Sequence, residues 1–95
     1  MGINLEEQNL VGKIAADKEN KKLGRIIKIE NIEDKKTKIP KPNALVLVSK
    51  IFRKDIVILI ETSKILKTET EYVWFDILKK DFDQEVRETR ALINL

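Results

Sequence analysis

Two apolar segments of the chain have no polar face. Ala44-Leu45-Val46-Leu47-Val48-Ser49-Lys50-Ile51-Phe52 and Ile56-Val57-Ile58-Leu59-Ile60 are short, dominated by branched aliphatics and joined by the turn Arg53-Lys54-Asp55. Strands of this kind are usually covered on both sides, whereas a half-buried strand alternates. One face of each can fill a small barrel; the other has to meet a helix, a second sheet or another subunit. A chain of 95 residues forms one domain, and leaving such a face wet is costly at this size. Two covers meet the requirement: a tail helix of the same chain, or a second copy in a homodimer through Ile56, Ile58, Ile60 and their neighbours. Neither run approaches the roughly 18–20 residues of a membrane-spanning helix.

The remaining segments extend the strand reading. Leu10–Asp17 leads into the charged turn Lys18–Lys22, where Asn20 suits the left-handed conformation of a tight hairpin. The chain returns through Leu23–Ile32, with Ile27 and Ile29 on one face and Lys28 and Glu30 on the other. Ile26 and Ile32 break that alternation and predict a bulge. Glu33–Pro42 reads as a loop outside the core, because Pro40 and Pro42 cannot donate to a ladder. A short element at Ser63–Leu66 precedes a last strand, Tyr72–Leu78. The period then changes: Phe82, Val86, Thr89 and Ile93 recur at helical spacing, with Leu92 beside the stripe. Asp81 with Gln84 has the spacing of a capping box, and Asp83 and Arg87 stand four apart, ready to pair. The expected fold is mainly β, residues 8–78, with an amphipathic C-terminal helix, residues 79–95, that packs either on its own strands, as lid for their apolar outer face, or on a partner subunit.

The chemistry is narrowed by subtraction. The chain has no cysteine and no histidine, which removes thiol nucleophiles, thiolate metal sites and the usual neutral-pH acid–base group. Ser49 and Ser63, its only serines, sit in no nucleophile elbow, and no phosphate-cradling glycine loop occurs. Glu69 and Glu71 read as a solvated strand edge. No catalytic, cofactor or metal residue is assigned, and a non-catalytic binding module is expected.

The formal net charge is +3, carried mostly by lysine. Arg25, Arg53, Arg87 and Arg90 are the only guanidinium groups, and specific base or phosphate recognition favours such forks. The most basic segment holds Lys35, Lys36, Lys38 and Lys41. With Arg25 it forms the alternative reading, contact with nucleic acid, although Glu33 and Asp34 offset its field and no aromatic platform lies within it. Three of the five aromatics cluster as Tyr72, Trp74 and Phe75. Phe75 belongs to the core face. Tyr72 and Trp74 share the opposite face, and both an interface anchor and a packed patch fit them.

Val11-Gly12-Lys13-Ile14 with Asp17, followed by Lys22-Leu23-Gly24-Arg25-Ile26, resembles the opening of the PRC-barrel domain. Ala44–Val48 is similar to its third strand. Asn20 stands where that family has a turn glycine, and Glu61-Thr62 where many members have Pro-Trp. Gly12, Asp17, Asn20 and Gly24 are the structural positions of the pattern. The resemblance implies a small six-stranded, strongly bent β-barrel that docks to other proteins, is not itself catalytic and needs no cofactor. Its settings include the cytoplasmic part of a photosynthetic reaction-centre subunit, a ribosome maturation factor and archaeal cell-division adaptors. It therefore implies a cytoplasmic adaptor with a protein partner, or in the alternative an RNA- or ribosome-associated factor.

Overall fold

The computed structural model of the chain describes residues 9–93; the expected domain start at residue 8 and tail residues 94 and 95 lie outside the described residues. The elements are β1 (Ile14–Ala16), β2 (Lys22–Glu33), β3 (Pro40–Val48), β4 (Ile56–Glu61), a 3₁₀ turn (Thr62–Lys64), β5 (Ile65–Thr68), β6 (Tyr72–Phe75) and α1 (Lys79–Ile93). The six strands form one sheet in the order β4-β3-β2-β1-β6-β5. All neighbours are antiparallel except β1 and β6, which run parallel. The mainly β class, the strand number and the C-terminal helix match the sequence reading. Closure into a barrel does not: β4 and β5 are edges, so the sheet stays open.

The core gathers on one face of this sheet. Ile26 and Ile29 of β2, Ala44, Val46 and Val48 of β3, Ile56, Ile58 and Ile60 of β4, and Val73 and Phe75 of β6 are all buried there, together with Phe82 and Val86 of α1. The helix thus closes the inner face of the sheet. The sequence pattern places it on the outer face, and the physical reason for the difference is the open sheet. An unclosed barrel cannot seal its own interior, and α1, packed against β4 and β2, supplies the missing wall.

Local geometry departs from the expected segments in several places. β3 ends at Val48, and Ile51 and Phe52, expected to continue it, stand in the turn before β4, where Phe52 takes φ 65 and reverses the chain. Gly12 takes φ +92, and its N–H donates to the Ile26 carbonyl at 2.7 Å. The stretch before β1 is therefore a turn, and the strand begins only at Ile14. The bulge falls where it was expected, between Ile26 and Lys28, but it sends Ile27 outward with Lys28 while Ile26 and Ile29 point in. Asp76 N–H donates to the Lys64 carbonyl at 2.7 Å, which bends the chain and ends β6 at Phe75.

The largest departure is at the prolines. Pro40 and Pro42 lie in β3, opposite Glu33 and Asn31 of β2, rather than in a loop. The ladder to β4 starts only at Asn43, so β3 is locally an edge there. Thr62 Oγ1 donates to the Pro42 carbonyl at 3.3 Å, which puts the proline nitrogen on the same, strand-free side, where no donor is required. The connection shrinks to 34–39. Asp34 organises it by accepting the Lys36 and Thr37 N–H groups at 2.8 and 3.0 Å.

Candidate functional site

β3 and β4 present their second face to solvent. Leu45 stands opposite Leu59 and Leu47 opposite Val57. Val57 is 38% exposed and Leu59 44%, and Ile27 in the neighbouring β2 bulge is 41% exposed. Among the described residues β4 has no ladder partner beyond β3, and Ile56–Ile60 carries none of the charges, prolines or bulges that usually blunt an edge strand. An apolar face thus adjoins a strand edge with free pairing capacity.

Ile56, Ile58 and Ile60, expected at a subunit interface, are 4–5% exposed and belong to the chain's own core. The available face of the same strand is the other one, Val57 and Leu59. A signal for this parity was present in the sequence: Asp55, just before β4, and Glu61, its last residue, are in phase with Val57 and Leu59, which marks that face as the wet one. Leu45 and Leu47 then follow from the pairing register.

The aromatic pair sits on the outer face of β6. Tyr72 and Trp74 stack with ring centroids 5.6 Å apart and planes 25° from parallel, and Lys67 Nζ lies 4.9 Å from the Trp74 ring centroid. Trp74 Nε1 donates to Asn20 Oδ1 at 2.7 Å. Asn20 has φ 68, the left-handed conformation expected of it. Val73 and Phe75 point the opposite way and are fully buried. Tyr72 and Trp74 are half-buried, so the pair forms a fixed ledge whose indole N–H is already satisfied.

Two of the structural positions act through contacts of their own. A Cβ on Gly24 would collide with the Leu47 carbonyl oxygen and lie 2.8 Å from Val46 Cγ1, so glycine is what lets β2 approach β3 there. Asp17 is completely buried. Its Oδ1 accepts the Glu19 and Lys21 N–H groups and its Oδ2 the Lys79 N–H, each at 2.8 Å. Burial alone would raise its carboxyl, but these backbone donors, with the Lys21 charge, hold it below the ordinary carboxylate range. Asp17 therefore caps α1 from a distance. Asp81, expected to be the cap, instead lies within the first turn. Asp83 pairs with Lys79 at 2.8 Å and not with Arg87, which donates to Gln84 Oε1 at 3.0 Å.

The basic residues do not assemble as the nucleic-acid reading requires. Arg25 lies eight residues along β2 from Glu33, ~26 Å of strand at the usual rise, and its Nη1 donates to the Gly12 carbonyl at 2.7 Å. Lys41 Nζ lies 3.6 Å from both Asp34 and Glu61. Lys35, Lys36 and Lys38 remain exposed on the turn. Among the described residues, no group of three potential carboxylate, thiol or imidazole ligands is placed to hold a metal, and no helix is long and apolar enough to cross a membrane.

No protein-family model and no curated protein matches this chain.

Proposed function

We propose that the chain is a non-catalytic protein-interaction module of the PRC-barrel type, with self-association as its first interaction. The observation that carries this reading is the outer face of β3 and β4, where Leu45, Leu47, Val57 and Leu59 adjoin an unblunted strand edge. Exposed apolar faces of this kind are typical of association sites, and a free edge adds directional backbone hydrogen bonds to the apolar burial. The Tyr72–Trp74 ledge offers a second anchor for a protein partner. By resemblance, an adaptor of archaeal cell division is the setting proposed, acting in the cytoplasm.

The RNA-associated alternative is less well supported, because Arg25 and the Lys35–Lys41 segment lie at separate places on the sheet and Lys41 is engaged by acidic neighbours.

Light scattering over a dilution series tests the reading on the full chain and on Val57→Lys/Leu59→Lys. The expected result is a dimer at micromolar concentration that the double variant converts to a folded monomer. A wild-type chain that stays monomeric throughout, or a variant that stays dimeric, counts against self-association through this face.

A further inference from the structure

The turn between β3 and β4 carries the most exposed apolar side chains among the described residues. Ile51 is 82% exposed and Phe52 102%. Phe52 also has φ 65, a left-handed conformation in which a bulky aromatic residue is a genuine outlier and for which glycine or asparagine is the unstrained choice. Strain of this kind persists where the side chain has a use. Among the described residues nothing packs it away: Phe52 is absent from the core cluster and fully exposed.

A ring of cations surrounds this tip. Lys50, Arg53 and Lys54 flank Ile51 and Phe52 in sequence, and Arg87 and Arg90 approach from the end of α1. Arg90 Nη1 donates to the Lys54 carbonyl at 2.7 Å, which fixes the helix end against the turn. Among the described residues none of these five cations forms a salt bridge, and Arg90 Nη2 is buried without a hydrogen-bond partner. Of the acids next to these cations, Asp83 is held by Lys79 at 2.8 Å and Glu88 accepts from Gln84 Nε2 at 3.0 Å, while Asp55 follows Lys54 in sequence. A groove of about 380 Å³ runs between the tip and α1, with Ile93 contributing an apolar wall.

We infer that this end of the molecule docks on an anionic phospholipid surface, with Ile51 and Phe52 entering the headgroup–acyl boundary and the exposed cations Lys50, Arg53, Lys54 and Arg87 engaging lipid phosphates and carboxylates. The geometry favours a bilayer over a protein partner. Two projecting apolar side chains need a matching pocket in a folded protein, whereas a bilayer admits them anywhere along its surface. Apolar insertion inside a basic collar is the combination that holds peripheral proteins on anionic membranes, because neither term alone gives stable binding. This inference is independent of self-association through β4, which uses a different face.

The test is flotation of the full chain with vesicles of phosphatidylcholine alone and of phosphatidylcholine containing about 30% phosphatidylserine. The wild type is expected to float only with the anionic vesicles and to be released by high salt. Ile51→Ser/Phe52→Ser alters two side chains outside the core and is expected to weaken partitioning at least ~10-fold. Arg53→Gln/Lys54→Gln is expected to weaken it and to flatten its salt dependence. In a Trp74→Phe background, Phe52→Trp reports insertion directly: its emission should shift to the blue and be quenched by lipids labelled near the headgroup. Absence of binding to anionic vesicles overturns the inference. So does binding that the tip substitutions leave intact, which would move the contact to the Lys35–Lys41 segment. A tip tryptophan buried by a second copy in the absence of lipid would overturn it as well.

Discussion

The Asp17 carboxylate, in the turn between β1 and β2, accepts the backbone N–H of Lys79 at 2.8 Å across 62 residues of chain. The same side chain closes its own turn through Glu19 and Lys21. One buried group therefore sets the hairpin geometry and the direction in which α1 leaves the sheet. Lys18 N–H reinforces this junction by donating to the Ile77 carbonyl at 3.2 Å.

Asp17→Asn is expected to destabilise the fold by roughly 2 kcal/mol, because its amide presents N–H where the backbone also presents N–H. The pH dependence follows from the direction of the shift. A carboxyl held below its ordinary value contributes stability above the unfolded value, near pH 4, and that contribution is lost as pH falls through the folded value. Urea denaturation between neutral pH and about pH 3 should show the wild type losing stability on acidification more steeply than Asp17→Asn. Parallel curves would remove Asp17 from the acid response.

Gly24 and Gly12 should behave differently when changed to alanine. At Gly24 the new methyl meets the Leu47 carbonyl, which is backbone and cannot swing away, so a loss of about 2–3 kcal/mol is expected. At Gly12 there is open space but φ is +92, and only the conformational cost of about 1 kcal/mol applies. Equal losses in thermal or urea unfolding would contradict the close approach of β2 and β3.

The helix is load for the core at two positions and solvent-facing at others. Phe82→Ala should cost about 3–5 kcal/mol, as for other buried aromatics. Leu92, 71% exposed, should change stability by less than about 0.5 kcal/mol when replaced by alanine. Both are read from the same denaturation series. A larger effect at Leu92 would place the C-terminal turn in a contact that the fold does not contain.

Strand content, the Asn20 turn and the helical tail were legible because each depends on local chemistry: apolar runs, a residue tolerant of positive φ, and a change of period. The choice of face in β4 was less accessible, since Ile56–Ile60 is apolar throughout and only its flanking acids carry the parity. The position of α1 was hidden for a different reason. Whether a helix covers the inner or outer face depends on whether the sheet closes, and closure is a property of all six strands together. Pro40 and Pro42 misled because proline excludes a donor only on one side, and no local pattern says where the neighbouring strand β4 ends. The Asp17–Lys79 bond has no local signature at all, as its partners meet only once the sheet is built.

Asn20 performs two tasks that substitutions can separate. Its backbone takes φ 68, and its side-chain oxygen accepts the Trp74 indole N–H at 2.7 Å. Asn20→Gly keeps the backbone conformation accessible and removes only the acceptor, so a loss of about 0.5–1 kcal/mol is expected. Asn20→Ala removes the acceptor and adds a left-handed penalty, so its loss should be larger by roughly 1 kcal/mol. Trp74→Phe deletes the donor; combined with Asn20→Gly it should destabilise by less than the sum of the two single changes. Additive losses would show that the hydrogen bond contributes nothing and that the ledge is held by its other contacts, among them the Tyr72 stack and Lys67 over the Trp74 ring.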